Sequence, residues 1–266
     1  MADTMLSRGP DDGGVWVDPE NGIGVGHRRL AVIDLSTSGH QPMFSSDGRY
    51  VLVYNGEIYN FKELRAELES TGHTFRGNSD SEVVVETCAA WGVERAVGQF
   101  IGMFAFALWD RQRRSLTLVR DRLGIKPLYW AKFGSLFLFG SELKALRAHP
   151  GFEAGIDPNA VATFMRLNYI PAPHSVYQRV AKLEPACMLH LPFRQAPQIF
   201  RYWNMREIAR VGVANPLDIS DEEALGRLEE VLGDSVRRRM VADAPAARKA
   251  GDRTPASERP ATRISK

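Results

Sequence analysis

The sequence is poor in cysteine, in net charge and in long apolar runs, and each shortage excludes a class of protein. Cys88 and Cys187 are its two cysteines, and they form neither a disulfide framework nor a zinc-binding pattern. The formal net charge is only +2, which gives no general attraction to nucleic acid. No apolar stretch approaches the roughly 20 residues of a membrane span, and the first residues do not resemble a signal peptide. We therefore expect a cytoplasmic protein with neither a nucleic-acid nor a membrane partner.

What is present is enough apolar sequence for a core, followed by a segment that has almost none. The 266 residues are 44% hydrophobic, which suits one large domain or two small ones. Residues 244–266 (APAARKAGDRTPASERPATRISK) hold six lysines and arginines, three prolines and a single large aliphatic, Ile264. We expect this basic tail to be disordered, because it cannot bury enough apolar surface to offset the entropy lost on ordering. A basic tail can bind an acidic partner, but the abrupt change of composition argues against a selected binding segment.

Apolar periodicity and turn residues predict an α+β protein rather than one built from alternating βαβ units. Residues 1–13 have loop chemistry, and the predicted strands are 24–34 and 49–54, the second stopping at Asn55-Gly56. Hairpins are predicted at 103–109 with 115–119 and at 127–130 with 135–139, and a further strand around 185–189. Helices are predicted after four capping residues, Asn60, Ser79, Asp157 and Ser220. The last of them carries Leu225, Leu228, Leu232 and Val236 on one face.

Eight short motifs follow one another in a fixed order between residues 8 and 146. They are RGPDD at 8–12, GHRRL at 26–30, GHQPM at 39–43, YNGEIYN at 54–60, SDSEV at 79–83, GMFAF at 102–106, RDRLGIKPLY at 120–129 and SELKAL at 141–146. Together they resemble the class II glutamine amidotransferases. The HQPM and GIKPLY elements favour the N-terminal half of the glutamine-hydrolysing asparagine synthetases, and the resemblance covers residues 1 to about 245.

The resemblance implies a fold and an activity. The expected fold is α+β, a four-layer α/β/β/α N-terminal-nucleophile hydrolase sandwich over residues 1–190. Residues 191–243 would be a linker and the first helices of an ATP-dependent synthetase domain, before the basic tail at 244–266. The family is a ligase of asparagine biosynthesis: it hydrolyses L-glutamine to ammonia and transfers the ammonia to ATP-activated aspartate. Mg-ATP is implied for the complete enzyme, and so is a homodimer.

The same resemblance assigns roles to five residues. Asn55 and the backbone of Gly56 resemble the oxyanion hole, which must present fixed donors to a tetrahedral oxyanion. Arg29 resembles the clamp for the glutamine α-carboxylate, a bidentate task that suits a guanidinium. Asp80 resembles the partner of the α-ammonium, and Glu57 lines the pocket. Without the resemblance, Asn55-Gly56 would be an ordinary turn, Asp80 a helix-start acid and Arg29 a surface charge.

The chain departs from the family at the nucleophile. The family uses an N-terminal cysteine whose own α-amine, with a pKa of roughly 8, acts as the base. Here Met1-Ala2 stands close before the RGPDD motif, so we expect a stretch of about 30 residues, with a strand and the cysteine, to be absent. We predict that Cys88 and Cys187 are core residues, and that His27 and His40 make structural hydrogen bonds. No metal site is expected.

A second departure follows Asp243. Family members continue into a Ser-Gly-Gly-x-Asp-Ser loop that cradles the pyrophosphate of ATP, whereas this chain continues into the basic tail. We therefore expect no ATP-binding site and no bound cofactor, and we hypothesise a shift of reading frame near residue 246. Three hypotheses remain: a fragment unable to hydrolyse glutamine, a start codon chosen too far downstream, or a non-catalytic module that binds glutamine for regulation.

Overall fold

The computed structural model describes residues 1–34 and 36–240, so the basic tail and the proposed frame shift lie outside the described residues. Eleven strands occur in this part of the chain: β1 (Asp12–Asp18), β2 (Ile23–Arg29), β3 (Met43–Phe44), β4 (Tyr50–Ile58), β5 (Gly102–Asp110), β6 (Ser115–Arg120), β7 (Tyr129–Phe133), β8 (Leu136–Gly140), β9 (Val180–Lys182), β10 (Cys187–Pro192) and β11 (Gln198–Arg201). The α-helices described are α1 (Phe61–Ser70), α2 (Asp80–Trp91), α3 (Val93–Gln99), α4 (Leu143–Arg147), α5 (Pro158–Leu167), α6 (Met205–Ala214) and α7 (Asp221–Arg239). Short 3-10 turns cover Ala2–Met5 and Thr37–Gly39.

The centre of the fold is an antiparallel sheet of six strands in the order β11-β10-β6-β5-β4-β3. Strands β5 and β6 form the first predicted hairpin, and β7 and β8 form the second. A sheet of three strands, β8-β7-β9, and a ribbon of two, β1-β2, stand apart from the central sheet. The predicted hairpins are therefore confirmed, and so is the strand that carries Cys187.

Side chains alternate across the central sheet and build two separate cores. Leu52 and Phe106 point to one face, where they pack with Val84 of α2 in an apolar cluster. Val53 and Ala107 point to the other face, where a second cluster includes residues of β2, β7 and β8. The far side of the three-stranded sheet packs against α4 in a third cluster. The layers are thus helix, sheet, sheet and helix, which confirms the predicted four-layer α+β fold.

Three of the four predicted helix caps are present. The Oγ of Ser79 accepts the Glu82 N–H at 3.3 Å, and Asp157 and Ser220 cap α5 and α7 in the same manner. Asn60 is the N-cap residue of α1, as predicted, but its side chain makes no capping bond. Instead it donates to the Gln99 carbonyl at 3.0 Å and accepts the Ile101 N–H at 2.9 Å. Asn60 therefore ties the start of α1 to the loop before β5 instead of satisfying the helix's own amides.

The strand boundaries near the motifs differ from the prediction. Strand β4 does not stop at Asn55-Gly56 but runs on to Ile58, with Gly56 paired to Phe104 of β5. A Cβ on Gly56 would stand 2.4 Å from the Met103 carbonyl oxygen, so this glycine permits close strand packing, not a turn. Strand β2 ends at Arg29, before the predicted end at residue 34. Strand β1 and the 3-10 turn at Ala2–Met5 replace part of the predicted loop at 1–13, because turn-type residues concealed an extended segment.

The two helices α6 and α7 differ from the rest because neither has a buried residue. The predicted apolar face of α7 is exposed, with Leu225 and Val236 at 57% and 58% of full accessibility. Its basic end touches the body of the fold, where Arg238 pairs with Glu63 at 2.6 Å and Arg239 lies over the Tyr59 ring. The proposed boundaries at residues 190 and 243 remain a prediction. Among the described helices, none combines the length and the apolarity that crossing a membrane requires.

Candidate functional site

The residues predicted to bind glutamine line a single cavity. Its volume is about 560 Å³, within the roughly 300–1,000 Å³ typical of small-molecule sites. Arg29, Asn55, Gly56, Glu57 and Asp80 all contribute to its wall. Most of the remaining wall comes from β2, β8 and the central sheet, and the N-terminal segment (Met1, Ala2 and Met5) and Ala145 of α4 also line it. The structure therefore brings together all five predicted site residues.

The open edge of β4 supplies a backbone donor at Gly56. Amides two residues apart on a strand point to the same edge. The Tyr54 N–H donates to the Gln41 Oε1 at 2.6 Å, and the Ile58 N–H donates to Asp80 Oδ2 at 3.1 Å, so both point away from β5. Gly56 stands midway between them and directs its N–H to the same edge. Strand β3 pairs with β4 only as far as Leu52, so this part of the edge is left for a ligand.

Asn55 and Glu57 lie on the face of β4 that Val53 shares, between the two sheets. Burial raises the pKa of Glu57 and the nearby Asp80 adds to the rise, while Lys126 opposes it. Lys126 belongs to the loop after β6, which is shaped by the buried Asp121. That carboxylate accepts four backbone N–H groups, including those of Phe104 at 3.2 Å and Lys126 at 2.9 Å. The RDRLGIKPLY motif therefore places a cation beside Glu57.

Asp80 is the first residue of α2 and is only 5% exposed. Its Oδ2 accepts the Tyr54 hydroxyl at 2.7 Å and the Ile58 N–H at 3.1 Å. Burial raises the pKa of Asp80, and these hydrogen bonds only partly counteract that effect. A buried carboxylate of this kind is stabilised by a cation, so a ligand ammonium at this position would relieve the burial penalty.

Arg29 ends β2 and is only 8% exposed. Its Nη1 donates to the Ser36 carbonyl at 2.9 Å, and its Nη2 donates to the carbonyls of Ile33, at 3.4 Å, and Asp34. These bonds use up to three of the five N–H donors of a guanidinium. The carbonyls thus fix the orientation of the group, and the charge itself stays available to a carboxylate in the cavity.

The two cysteines lie outside this cavity. Cys88 is fully buried on α2, where burial strongly raises the pKa of its thiol, and Cys187 is buried on β10 with its pKa also raised by burial. Both are core residues, as predicted, and neither lines the cavity. A thiol with a raised pKa is a poor nucleophile because its thiolate is scarce.

The two predicted structural histidines differ from each other. His40 bonds Asp12 through Nδ1 at 2.8 Å, as expected of a structural hydrogen bond. His27 lines the cavity, but its buried Nδ1 has no hydrogen-bond partner among the described residues, so the prediction is wrong for that atom. Burial lowers the pKa of His27 to about 4, which keeps the ring neutral at physiological pH.

Three further residues support the site and received no role from the sequence. Gln41 accepts the Tyr54 N–H and donates to the Ser81 hydroxyl at 3.3 Å, which links β4 to α2. Tyr54 holds Asp80, and Lys126 faces Glu57. All three stand inside motifs quoted above, GHQPM, YNGEIYN and RDRLGIKPLY. The motifs therefore contained the signal, but which atom each side chain contacts depends on tertiary placement.

The arrangement can hold a zwitterionic amino acid with an amide or carbonyl oxygen at its far end. It offers a guanidinium, a buried carboxylate and a backbone N–H around one cavity. Within residues 1–34 and 36–240, no group of three or more His, Cys, Asp or Glu side chains could hold a metal ion. The predicted lack of a loop that cradles ATP pyrophosphate concerns the segment after residue 243, which lies outside the described residues.

Comparison with known proteins gives a family match over most of the chain. Residues 1–203 match the family described as the glutamine amidotransferase domain. The chain is 37% identical over 249 residues to asparagine synthetase [glutamine-hydrolyzing] 3 of Bacillus subtilis, an alignment that covers 92% of this chain and 38% of that protein. It is 32% identical over 245 residues to asparagine synthetase [glutamine-hydrolyzing] 1 of the same organism, with 92% and 37% covered. The chain thus spans less than two fifths of the length of these relatives.

The glutamine phosphoribosylpyrophosphate amidotransferase of B. subtilis aligns with a TM-score of 0.48 at 21% identity, over 68% of this chain and 35% of that one.

Proposed function

Because this chain belongs to the glutamine amidotransferase domain family, we propose that its cavity binds L-glutamine. Arg29 receives the α-carboxylate, and Asp80 receives the α-ammonium. The side-chain amide then lies along β4, where its carbonyl oxygen accepts hydrogen bonds from the Gly56 N–H and from the side-chain NH₂ group of Asn55. Glu57 and Lys126 complete the polar wall.

One observation carries the proposal: a buried guanidinium, a buried carboxylate and an outward-directed backbone N–H line the same cavity. The two charges match the two ends of an α-amino acid, and each is already oriented by hydrogen bonds. Preorganised charges of this kind require little rearrangement on binding, which favours affinity and specificity. An uncharged amide at the other end suits the N–H donor of Gly56 and explains why glutamine fits this donor set.

We further propose that this 266-residue chain binds glutamine without hydrolysing it. Amide hydrolysis through a thioester needs a thiolate beside the oxyanion donors. Cys88 and Cys187 are buried in the core and do not reach the cavity. For the whole protein to which these residues correspond, we propose that the ammonia is used to make asparagine from aspartate that Mg-ATP has activated.

The test is an assay of ammonia release combined with a titration. Purified chain is incubated with L-glutamine in the absence of ATP, and ammonia is measured against a heat-denatured sample. We expect no release above background and saturable glutamine binding at millimolar concentration or below. Turnover above background would refute the loss of hydrolysis, whereas absence of binding would refute the glutamine site itself.

The alternative is a module that binds glutamine for regulation. It predicts the same binding without turnover, but also a change in a second measurable property, such as oligomeric state, when glutamine is added. Size-exclusion chromatography with light scattering, with and without glutamine, separates the two. The same measurement tests the homodimer that the resemblance implies.

A further inference from the structure

Asp34 touches both segments that carry the proposed glutamine contacts, although it has received no role so far. Its Oδ1 accepts the Ser36 N–H at 2.9 Å and also the Ser36 hydroxyl. Its Oδ2 accepts the Asn78 N–H at 3.0 Å. One carboxylate therefore bonds the segment that follows Arg29 and the segment that precedes Asp80.

The first of these segments determines where the Arg29 guanidinium lies. The carbonyls of Ile33, Asp34 and Ser36 accept its N–H groups. The backbone of Gly39 packs against the same group so closely that a Cβ there would stand 2.0 Å from Nη2. A movement of Ile33, Asp34, Ser36 or Gly39 would therefore move the charge proposed to bind the α-carboxylate.

The second segment leads directly into α2 and Asp80. Asn78 is followed by Ser79, the N-cap, and then by Asp80 itself. The backbone at Gly77 lies against the first segment, since a Cβ there would stand 2.6 Å from the Ser38 Cβ and 2.8 Å from Asp34 Oδ2. The two segments are thus in contact, and the Asp34 carboxylate joins them at that contact.

The chemistry of Asp34 suits this task. Its backbone is left-handed, with φ of +55°, a conformation that aspartate tolerates better than most residues and that helps to turn the chain back toward Arg29. Burial alone would raise the pKa of Asp34, but hydrogen bonds from Ser36 and Asn78 and the charge of Arg29 together hold it below its usual value. The ionised carboxylate only accepts hydrogen bonds, as the donors from Ser36 and Asn78 require.

We propose that Asp34 is a positioning residue that sets the separation between Arg29 and Asp80, and with it the fit of the α-carboxylate and α-ammonium of the bound amino acid. The inference rests on the proposed function, because it assigns Asp34 a part in the same glutamine site. Asp34 acts through Arg29 and does not itself touch the ligand.

The test is a double-mutant cycle for L-glutamine binding, measured by calorimetry on the intact chain. The four proteins are the unchanged chain, Asp34→Asn, Arg29→Lys and the double variant. Asn keeps the size of the side chain but presents an NH₂ group to one of the donors. We expect Asp34→Asn to weaken binding about tenfold and to add less than about twofold in the Arg29→Lys background, because residues acting through one contact are non-additive.

A matched control is available at Asp47, which makes the same kind of turn away from the site. Its Oδ1 accepts the Ser45 hydroxyl at 2.5 Å and the Arg49 N–H at 3.0 Å. Asp47→Asn is expected to leave glutamine affinity unchanged. If Asp34→Asn fails to fold, Ser36→Ala removes the hydroxyl that donates to Asp34 and that also accepts the Ser38 N–H at 3.1 Å. It is expected to produce a smaller loss with the same dependence on Arg29.

Three outcomes would overturn the inference. Unchanged glutamine affinity in Asp34→Asn would show that Asp34 does not position the ligand contacts. Fully additive losses of affinity in the double variant would show that Asp34 has only a general structural role, independent of Arg29. Either result leaves the glutamine site itself intact. Absence of glutamine binding by the unchanged chain would instead overturn the proposed function, and the role of Asp34 would fall with it.

Discussion

At the residue scale, Gly56 has the least room for change. It pairs with Phe104, and an added Cβ would stand 2.4 Å from the Met103 carbonyl and 2.7 Å from the Phe104 Cα. Both neighbours are backbone atoms of β5 and cannot turn aside. We predict that Gly56→Ala destabilises the chain by about 1–3 kcal/mol, the usual cost of overpacking, and abolishes glutamine binding as β4 is displaced.

Chemical denaturation and glutamine titration of Gly56→Ala measure both effects. Gly98→Ala is the matched control, because a Cβ at Gly98 would meet no atom within 4 Å. That substitution, at a helical position, is expected to be neutral or slightly stabilising. Equal stability of the two variants would contradict the close approach of β4 and β5 at Gly56.

His27 gives the stability of the chain a dependence on pH. Burial, together with the charges of Arg29 and His40, lowers its pKa from 6.5 to about 4, while Asp12 opposes the shift. The unfolded chain takes up this proton below about 6.5, and the folded chain does so only near 4. Stability is therefore lost as the pH falls from 6.5 to 4. The loss from this group is about 2 kcal/mol at pH 5, from 1.36 kcal/mol per pH unit.

Urea unfolding at pH 7 and pH 5 isolates that contribution when the unchanged chain is compared with His27→Gln. The variant cannot take up the proton, so its fall in stability between the two pH values should be smaller by about 2 kcal/mol. The same fall in both proteins would mean that His27 titrates normally in the folded state.

At the element scale, α2 and α7 begin with the same cap but differ in what they bury. The Oγ of Ser79 accepts the Glu82 N–H at 3.3 Å, and the Oγ of Ser220 accepts the Glu223 N–H at 3.2 Å. Helix α2 lies in the core, whereas α7 has no buried residue. We predict that Ser79→Ala lowers the free energy of unfolding by about 1 kcal/mol, while Ser220→Ala leaves the main transition unchanged and only frays α7.

Tryptophan fluorescence during urea unfolding reports the core, and circular dichroism reports both helices. For Ser79→Ala we predict that the fluorescence and circular dichroism signals are lost together. For Ser220→Ala we predict that part of the helix signal is lost before the fluorescence transition. A shift of the fluorescence transition of similar size in both variants would contradict the separate stability of α7.

The elements that the sequence predicted well are those in which local chemistry and tertiary packing agree. The cap at Ser79 and the hairpin between β5 and β6 depend on residues close together in the chain. Gly56 was misjudged because a strand glycine and a turn glycine look alike until the neighbouring strand is known. Asn60 was misjudged because its side chain bonds residues 39 and 41 positions away.

The candidate site also contains features that the sequence predicted and features that depend on tertiary contacts. Its five predicted residues line one cavity, as ordered motifs led us to expect, although glutamine binding by them stays a prediction. The supporting contacts could not be predicted, since Gln41 bonds Tyr54 and Asp34 bonds Asn78, which are 13 and 44 positions away in the sequence. Only the folded chain shows that these pairs meet.

At the scale of the whole molecule, the central claim is that this cavity is a glutamine site in which Arg29 receives the α-carboxylate. Arg29→Lys keeps the positive charge but loses the planar fork that bonds three carbonyls and that is proposed to bond the ligand carboxylate. Arg111→Lys is a matched control, because Arg111 also donates to a backbone carbonyl, that of Gly48 at 2.8 Å, and does not line the cavity.

The most direct measurement is a calorimetric titration of L-glutamine into the unchanged chain, Arg29→Lys and Arg111→Lys. We predict a dissociation constant in the millimolar range or below for the unchanged chain and for Arg111→Lys, and an affinity at least about tenfold weaker for Arg29→Lys. No binding to the unchanged chain, or equal affinity in all three proteins, would contradict it.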